Sequence, residues 1–247
     1  MNSIGHEQFI MTPISNIIGD TNRACICIGD GMESYPLASY IVQTTLLRLT
    51  GASEQKLKCI CWEFASFDYE FRYEMLKNPL GECSSYDNKK NIFKSICKSL
   101  VKYDICLDLL KEERKKILNA STSELESMLD ESLLAIWFPK EMNVFRNINA
   151  KGTLKGTMFC NIGENNIPSF LEKALKEYYE NYVYRYRNRY AHNLTSYQMN
   201  VPTLTQLSNM DREKNNHFRM FSTLILLDGI FMKYFEKLQT VKLSHSY

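Results

Sequence analysis

Along most of this chain the hydrophobic positions recur at intervals of three, four and seven residues, the period of a helix that buries one face. From Tyr35 to Thr50 the pattern predicts a first helix, with Pro36 in its first turn and Gly51 just past its end. Ser53 can cap a second helix to about Lys77, with Leu57, Ile60, Cys61, Phe64, Phe71 and Met75 inward. Asn78-Pro79-Leu80-Gly81 stops it. A third helix covers about Asp87 to Lys102. Ile92, Ile96, Leu100 and Val101 face in, and Lys90, Lys94 and Lys98 stand one turn apart on the other side. A short charged helix follows around Leu109 to Leu118. Ser121-Thr122-Ser123-Glu124 has the form of a capping box and opens another helix to about Trp137, which Phe138-Pro139 ends.

Residues 139–168 are the least helical, with Gly152, Gly156, Gly163 and several asparagines. Lys151 to Thr157 suggests a small hairpin. Pro168 then opens a long helix to about His192, and a polar loop runs from Asn193 to Met210. Asp211 or a neighbour starts the last helix, which ends near Thr240. The longest apolar run, Met220 to Phe235, is interrupted by Asp228 and Lys233 and is too short to span a bilayer, so it reads as a buried helix. Residues 1–32 read as irregular, with a weak strand signal at Ala24 to Ile28. No repeat or linker divides the chain. The expectation is one all-α domain over residues 1–247, with a loop-rich insertion at 139–168 and a small β-hairpin near 140–165.

Composition adds limits. Apolar residues make up 45% and charged residues 23%, enough for a full core. The net charge of +2 sets up no global field for nucleic acid, so any basic surface must be local. The 8 cysteines sit in a chain too core-rich to need disulfides, and Met1 to Asp20 lacks the pattern of a secretory leader. The expectation is reduced thiols in a cytoplasmic protein without a membrane span. Cys25/Cys27 and Cys59/Cys61 lack the spacing and the nearby histidine of a zinc site, so neither metal nor cofactor is expected. No phosphate-binding loop, zinc-protease motif or nucleophile elbow occurs.

The chemistry gathers at Tyr184-Arg185-Tyr186-Arg187-Asn188-Arg189-Tyr190-Ala191-His192-Asn193, the end of the long helix. A guanidinium can hold a phosphate and stabilise charge growing on it. An imidazole can move a proton near neutral pH. RNA carries its own nucleophile, the 2′-hydroxyl, so these groups suffice for a metal-free cut that leaves a cyclic phosphate. Arg187, Asn188 and His192 are the candidate catalytic residues, and Arg185, Arg189 and Tyr190 the candidate RNA contacts. Asn188 and His192 share a helix face. Arg187 lies about 140° from His192 on an ideal helix, which a long side chain, a frayed helix end or a second copy across a dimer axis would relieve. Basic residues at a helix C-terminus also complement its dipole, and Glu63, Glu70 and Glu74 are candidate partners for the arginines. Leu171, Leu175, Tyr178, Tyr182, Tyr186 and Tyr190 form the packing stripe. His217 reads as a surface residue, and the lysines at 90, 94 and 98 as a solvated face that could instead form an RNA track.

Arg187-Asn188-Arg189-Tyr190-Ala191-His192 resembles the R-(four to six residues)-H motif of the HEPN superfamily, with the polar residue after arginine that the family favours. The stretch Tyr40 to Tyr73 also looks like the N-terminal helices of bacterial HEPN proteins found in plasmid and phage-defence settings. The resemblance covers Tyr35 to Thr240. It implies a helical bundle, a homodimer with the motif at the interface, and a metal-independent endoribonuclease acting as a toxin or abortive-infection effector. The alternative it leaves is a non-catalytic RNA- or protein-binding module or regulatory subunit. A neutralising antitoxin or regulatory partner would be a separate protein.

Overall fold

The computed structural model describes residues 3–77, 83–130, 132–162, 167–192 and 213–244. In order these form α1 (Ser3–Met11), α2 (Asn16–Cys25), α3 (Tyr35–Phe67), α4 (Tyr69–Lys77), α5 (Tyr86–Val101), α6 (Lys111–Asn119) and α7 (Leu125–Asp130). Then come α8 (Leu133–Trp137), α9 (Pro139–Ala150), the strands β1 (Phe159–Ile162) and β2 (Pro168–Leu171), and α10 (Lys173–Tyr178), α11 (Arg185–His192) and α12 (His217–Ser244). The described residues are predominantly helical, as the periodicity implies, with one small antiparallel hairpin among them.

The core is organised around α12, which buries Phe218, Phe221, Leu224, Ile230, Phe235 and Leu238 on several sides. A helix apolar all round must be enclosed, and α12 packs against α3, α5, α6 and α9. The hairpin serves the core rather than standing apart. Phe170 of β2 lies 5.0 Å from Phe93 and 5.3 Å from Phe231 between ring centroids. Arg114 of α6 fastens β1 by donating to the carbonyls of Gly156, Phe159 and Cys160 at 2.8, 2.6 and 2.7 Å.

The structure corrects several local expectations. Residues 1–32 are not irregular: α1 and α2 occupy most of them, burying Ile10, Ile18 and Cys25. Gly51 does not end a helix. α3 continues through it for 33 residues, because Leu49, Ser53, Lys56, Leu57 and Ile60 stay in phase on the buried side. The break comes at Asp68, whose extended backbone turns the chain and whose carboxylate accepts the amides of Glu70 (2.9 Å) and Phe71 (3.2 Å) to cap α4. Ser121-Thr122-Ser123-Glu124 does not open a helix. The hydroxyls of Ser121 and Thr122 bond back to the Leu118 carbonyl (2.9 and 2.7 Å), and a wide π turn carries α6 into α7. α8 ends at Trp137, where Phe138-Pro139 was expected to stop it, and Pro139 then begins α9, since proline fits a first helical position. The insertion at 139–168 is thus helix followed by hairpin, and the hairpin pairs Phe159 with Leu171 and Ile162 with Pro168, later than residues 151–157. Pro168 starts a strand and the long helix begins at Lys173. The stop at 78–81, the loop at 193–210 and the start at Asp211 lie outside the described residues.

Candidate functional site

The motif helix is made of α10, a π turn at Tyr179–Tyr184 and α11. The wide turn shifts the packing stripe: Tyr178 and Tyr179 are both buried, followed by Val183 and Tyr186, while Tyr182 stacks on Tyr178 at 5.3 Å and is only half-buried. With those residues inward, Arg187 leaves the helix beside α3.

There the Arg187 guanidinium meets Glu54, with Nη2 3.2 Å from Oε2, and its Nη1 donates to the Asn188 side-chain oxygen at 3.1 Å. Glu54 is the acidic partner the sequence left unnamed. Glu63 instead pairs with Lys242 at 2.7 Å and His6 at 3.3 Å, and Glu70 with Lys102 at 2.5 Å. Near this pair Lys89 of α5 is fully buried, its ammonium donating to the carbonyls of Cys83 and of Ser84 (3.5 Å) and lying 5.7 Å from the Tyr179 ring centre. Burial pushes the Lys89 ammonium down to about 8; Glu54 opposes that shift and Arg187 adds to it. A carboxylate thus stands in the field of two cations, one surface-reaching and one sealed. Lys89 had a local signal: three before Ile92 and four before Phe93, it is in phase with the buried side of α5. Glu54 had none, because its partner lies 133 residues away.

His192 is the exposed last residue of α11. On the helix it stands about 140° from Arg187 but about 40° from Asn188. Arg187 is thus hydrogen-bonded to the residue that shares a helix face with the imidazole, while its other nitrogen is held by Glu54. Arg185 is exposed, and Arg189 lies over the Tyr186 ring, 4.8 Å from its centre.

Tyr190 and His217 differ from their expected roles. The Tyr190 hydroxyl lies 2.8 Å from His217 Nε2, and His217 Nδ1 lies 3.0 Å from Glu141 Oε2. A carboxylate only accepts, so Nδ1 carries the hydrogen, and Nε2 of the neutral ring accepts from the phenol. His217 is consequently no surface residue: with side-chain exposure of 14%, it ties α11 to α9 and α12. The same Glu141 oxygen accepts the His217 backbone amide at 3.0 Å, closing the first turn of α12. Burial raises the Tyr190 phenol above its ordinary range, so the hydroxyl stays un-ionised and its hydrogen bond orients the ring. Three helices converging on one imidazole could not be read from local pattern.

Among the described residues, no group of three or more His, Cys, Asp and Glu side chains stands where a metal ion could be held. No described helix is long and apolar enough to cross a membrane. Comparison with protein-family models, with curated proteins and with solved structures gives no match to this chain.

Proposed function

We propose that this chain is a metal-independent endoribonuclease of HEPN type, working as a homodimer and serving as a toxin or anti-phage abortive-infection effector. One observation carries the reading: an exposed His192 one helical turn beyond Asn188, whose side chain holds the Arg187 guanidinium. In the reaction an imidazole takes the proton of the RNA 2′-hydroxyl. The 2′-oxygen attacks the adjacent phosphorus, and the bond to the 5′-oxygen breaks. An imidazolium, that of His192 from the second copy, returns a proton to the leaving oxygen. Arg187 stabilises the charge on the phosphoryl oxygens. The products are a 2′,3′-cyclic phosphate and a 5′-hydroxyl. A neutralising antitoxin or regulatory partner would suit a growth-arresting protein of this kind.

The test is cleavage of single-stranded RNA in EDTA, with analysis of the ends. His192→Ala and Arg187→Ala should each lower the rate by about a hundredfold or more while circular dichroism is unchanged. Full activity in both variants would defeat the assignment. A second reading is favoured by the Glu54–Arg187 pair and by the Arg189–Tyr186 contact, which already engage two of the three guanidiniums within the fold. It makes the protein a non-catalytic RNA- or protein-binding module. RNA binding without cleavage, together with growth that wild type and His192→Ala leave equally unimpaired, would select it.

A further inference from the structure

Lys90, Lys94 and Lys98 follow one another at four-residue intervals on α5, and all three line one wall of an open groove of about 1000 Å³. The other wall is the β1–β2 hairpin and the start of α10, where exposed Ile162 and half-buried Ile167 present apolar surface. Lys173 and Lys176 on that wall have acidic neighbours one turn on, 4.0 Å from Glu177 and 3.9 Å from Glu180. Glu172 accepts from Asn161 and Ser169 at 3.0 Å each. Among the described residues the three α5 lysines enter no ion pair, and with five lysines against three glutamates in its lining the groove is net positive.

Four residues of helix rise about 6 Å, so the three lysines span about 12 Å. That is the rise of three to four nucleotides stacked at about 3.4 Å per strand. A duplex hides the faces of its bases, whereas an unpaired strand exposes them to an apolar wall opposite the cations. We propose that this groove binds single-stranded RNA, with its phosphates along Lys90, Lys94 and Lys98 and its bases against Ile162 and Ile167. The groove borders α10, which runs on through the π turn at Tyr179–Tyr184 into α11. A strand leaving the groove along this continuous helical segment would run toward its Arg187–His192 end. This delivery rests on the ribonuclease reading; binding in the groove does not.

The test measures fluorescence anisotropy of a labelled twelve-nucleotide oligouridine with His192→Ala protein, against the same protein carrying Lys90→Gln, Lys94→Gln and Lys98→Gln. Affinity should fall at least tenfold, and the slope of log affinity against log salt should become shallower by about 2, since each lost phosphate contact removes about 0.7. A 4-thiouridine strand should crosslink to the hairpin only when the lysines are present. Equal affinity and slope in the two proteins would overturn the proposal, as would lysine-dependent binding of duplex RNA or anionic vesicles in preference to the single strand. Cleavage by wild type with lysine-independent binding removes the groove alone. Lysine-dependent binding without cleavage supports the groove and removes the ribonuclease reading alone.

Discussion

Removing the Asp228 carboxylate would leave an ammonium stranded between α3 and α12. Lys56 Nζ lies 2.8 and 3.0 Å from the two Asp228 oxygens, and the side chains are only 4% and 5% exposed. The backbone amide of Ile14 donates to the same carboxylate at 3.0 Å. At an effective dielectric of about 20 the attraction at this separation is about 6 kcal/mol, offset by several kcal/mol of desolvation for each ion. Consistent with that balance, burial pushes the Asp228 carboxyl up and the Lys56 ammonium down, and each partner's charge restores only part of the shift. The intact pair therefore contributes little net stability, yet either half alone is costly. Asp228→Ala should lose about 4 kcal/mol, and Lys56→Met about 3 kcal/mol because Ile14 keeps its acceptor. Lys56→Met with Asp228→Leu should lose only about 1 to 3 kcal/mol, the cost of the orphaned Ile14 amide. Urea unfolding followed by circular dichroism measures this, provided the slope is unchanged between variants. A single variant that loses less than about 1 kcal/mol, or a double variant as unstable as the two singles added together, would refute the reasoning.

Gly51 is exposed within α3, and an added Cβ would meet nothing within 4 Å, so Gly51→Ala should raise stability by about 0.5 to 1 kcal/mol and the urea midpoint with it. A lower midpoint would show that the helix needs glycine there. Lys89 titrates at about 8 in the folded protein against an ordinary 10.5. Between these values the unfolded chain binds more protons, so folding stability should rise with pH from about 8 to about 10.5, by about 3 kcal/mol. Lys89→Met should lack that rise when its unfolding is compared with wild type across the window. Parallel pH curves would show that folding does not shift the Lys89 titration and would refute the effect of its burial.

Much of the helical architecture was legible because amphipathic periodicity is local. The phase of Ile92, Ile96 and Leu100 marked α5 within a residue at each end, and the apolar density of Met220 to Phe235 marked the enclosed helix. Punctuation was less legible, since a signal such as Gly51 or Ser121 is only a permission. Gly51 is overridden when the flanking apolar residues remain in register, and Ser121 when its hydroxyl finds a carbonyl one turn back. The candidate site divides the same way. Arg187, Asn188 and His192 stand together in the chain and can be seen there. Their surroundings cannot, because Glu54 meets Arg187 across 133 residues and Glu141 meets His217 across 76.

By itself, then, the order of residues determined where α5 and the enclosed last helix form, which sides the strongly periodic helices bury and where the basic cluster falls, because those follow from spacing over a few turns; α1, α2 and α9 did not show in that pattern. Tertiary structure alone decided which charge faces which: Glu54 against Arg187, Asp228 against Lys56, His217 between Tyr190 and Glu141, and three lysines opposite an apolar wall. The physical reason is that a charged or hydrogen-bonding group is satisfied by distance in space, and packing brings together residues whose separation along the chain carries no trace of it.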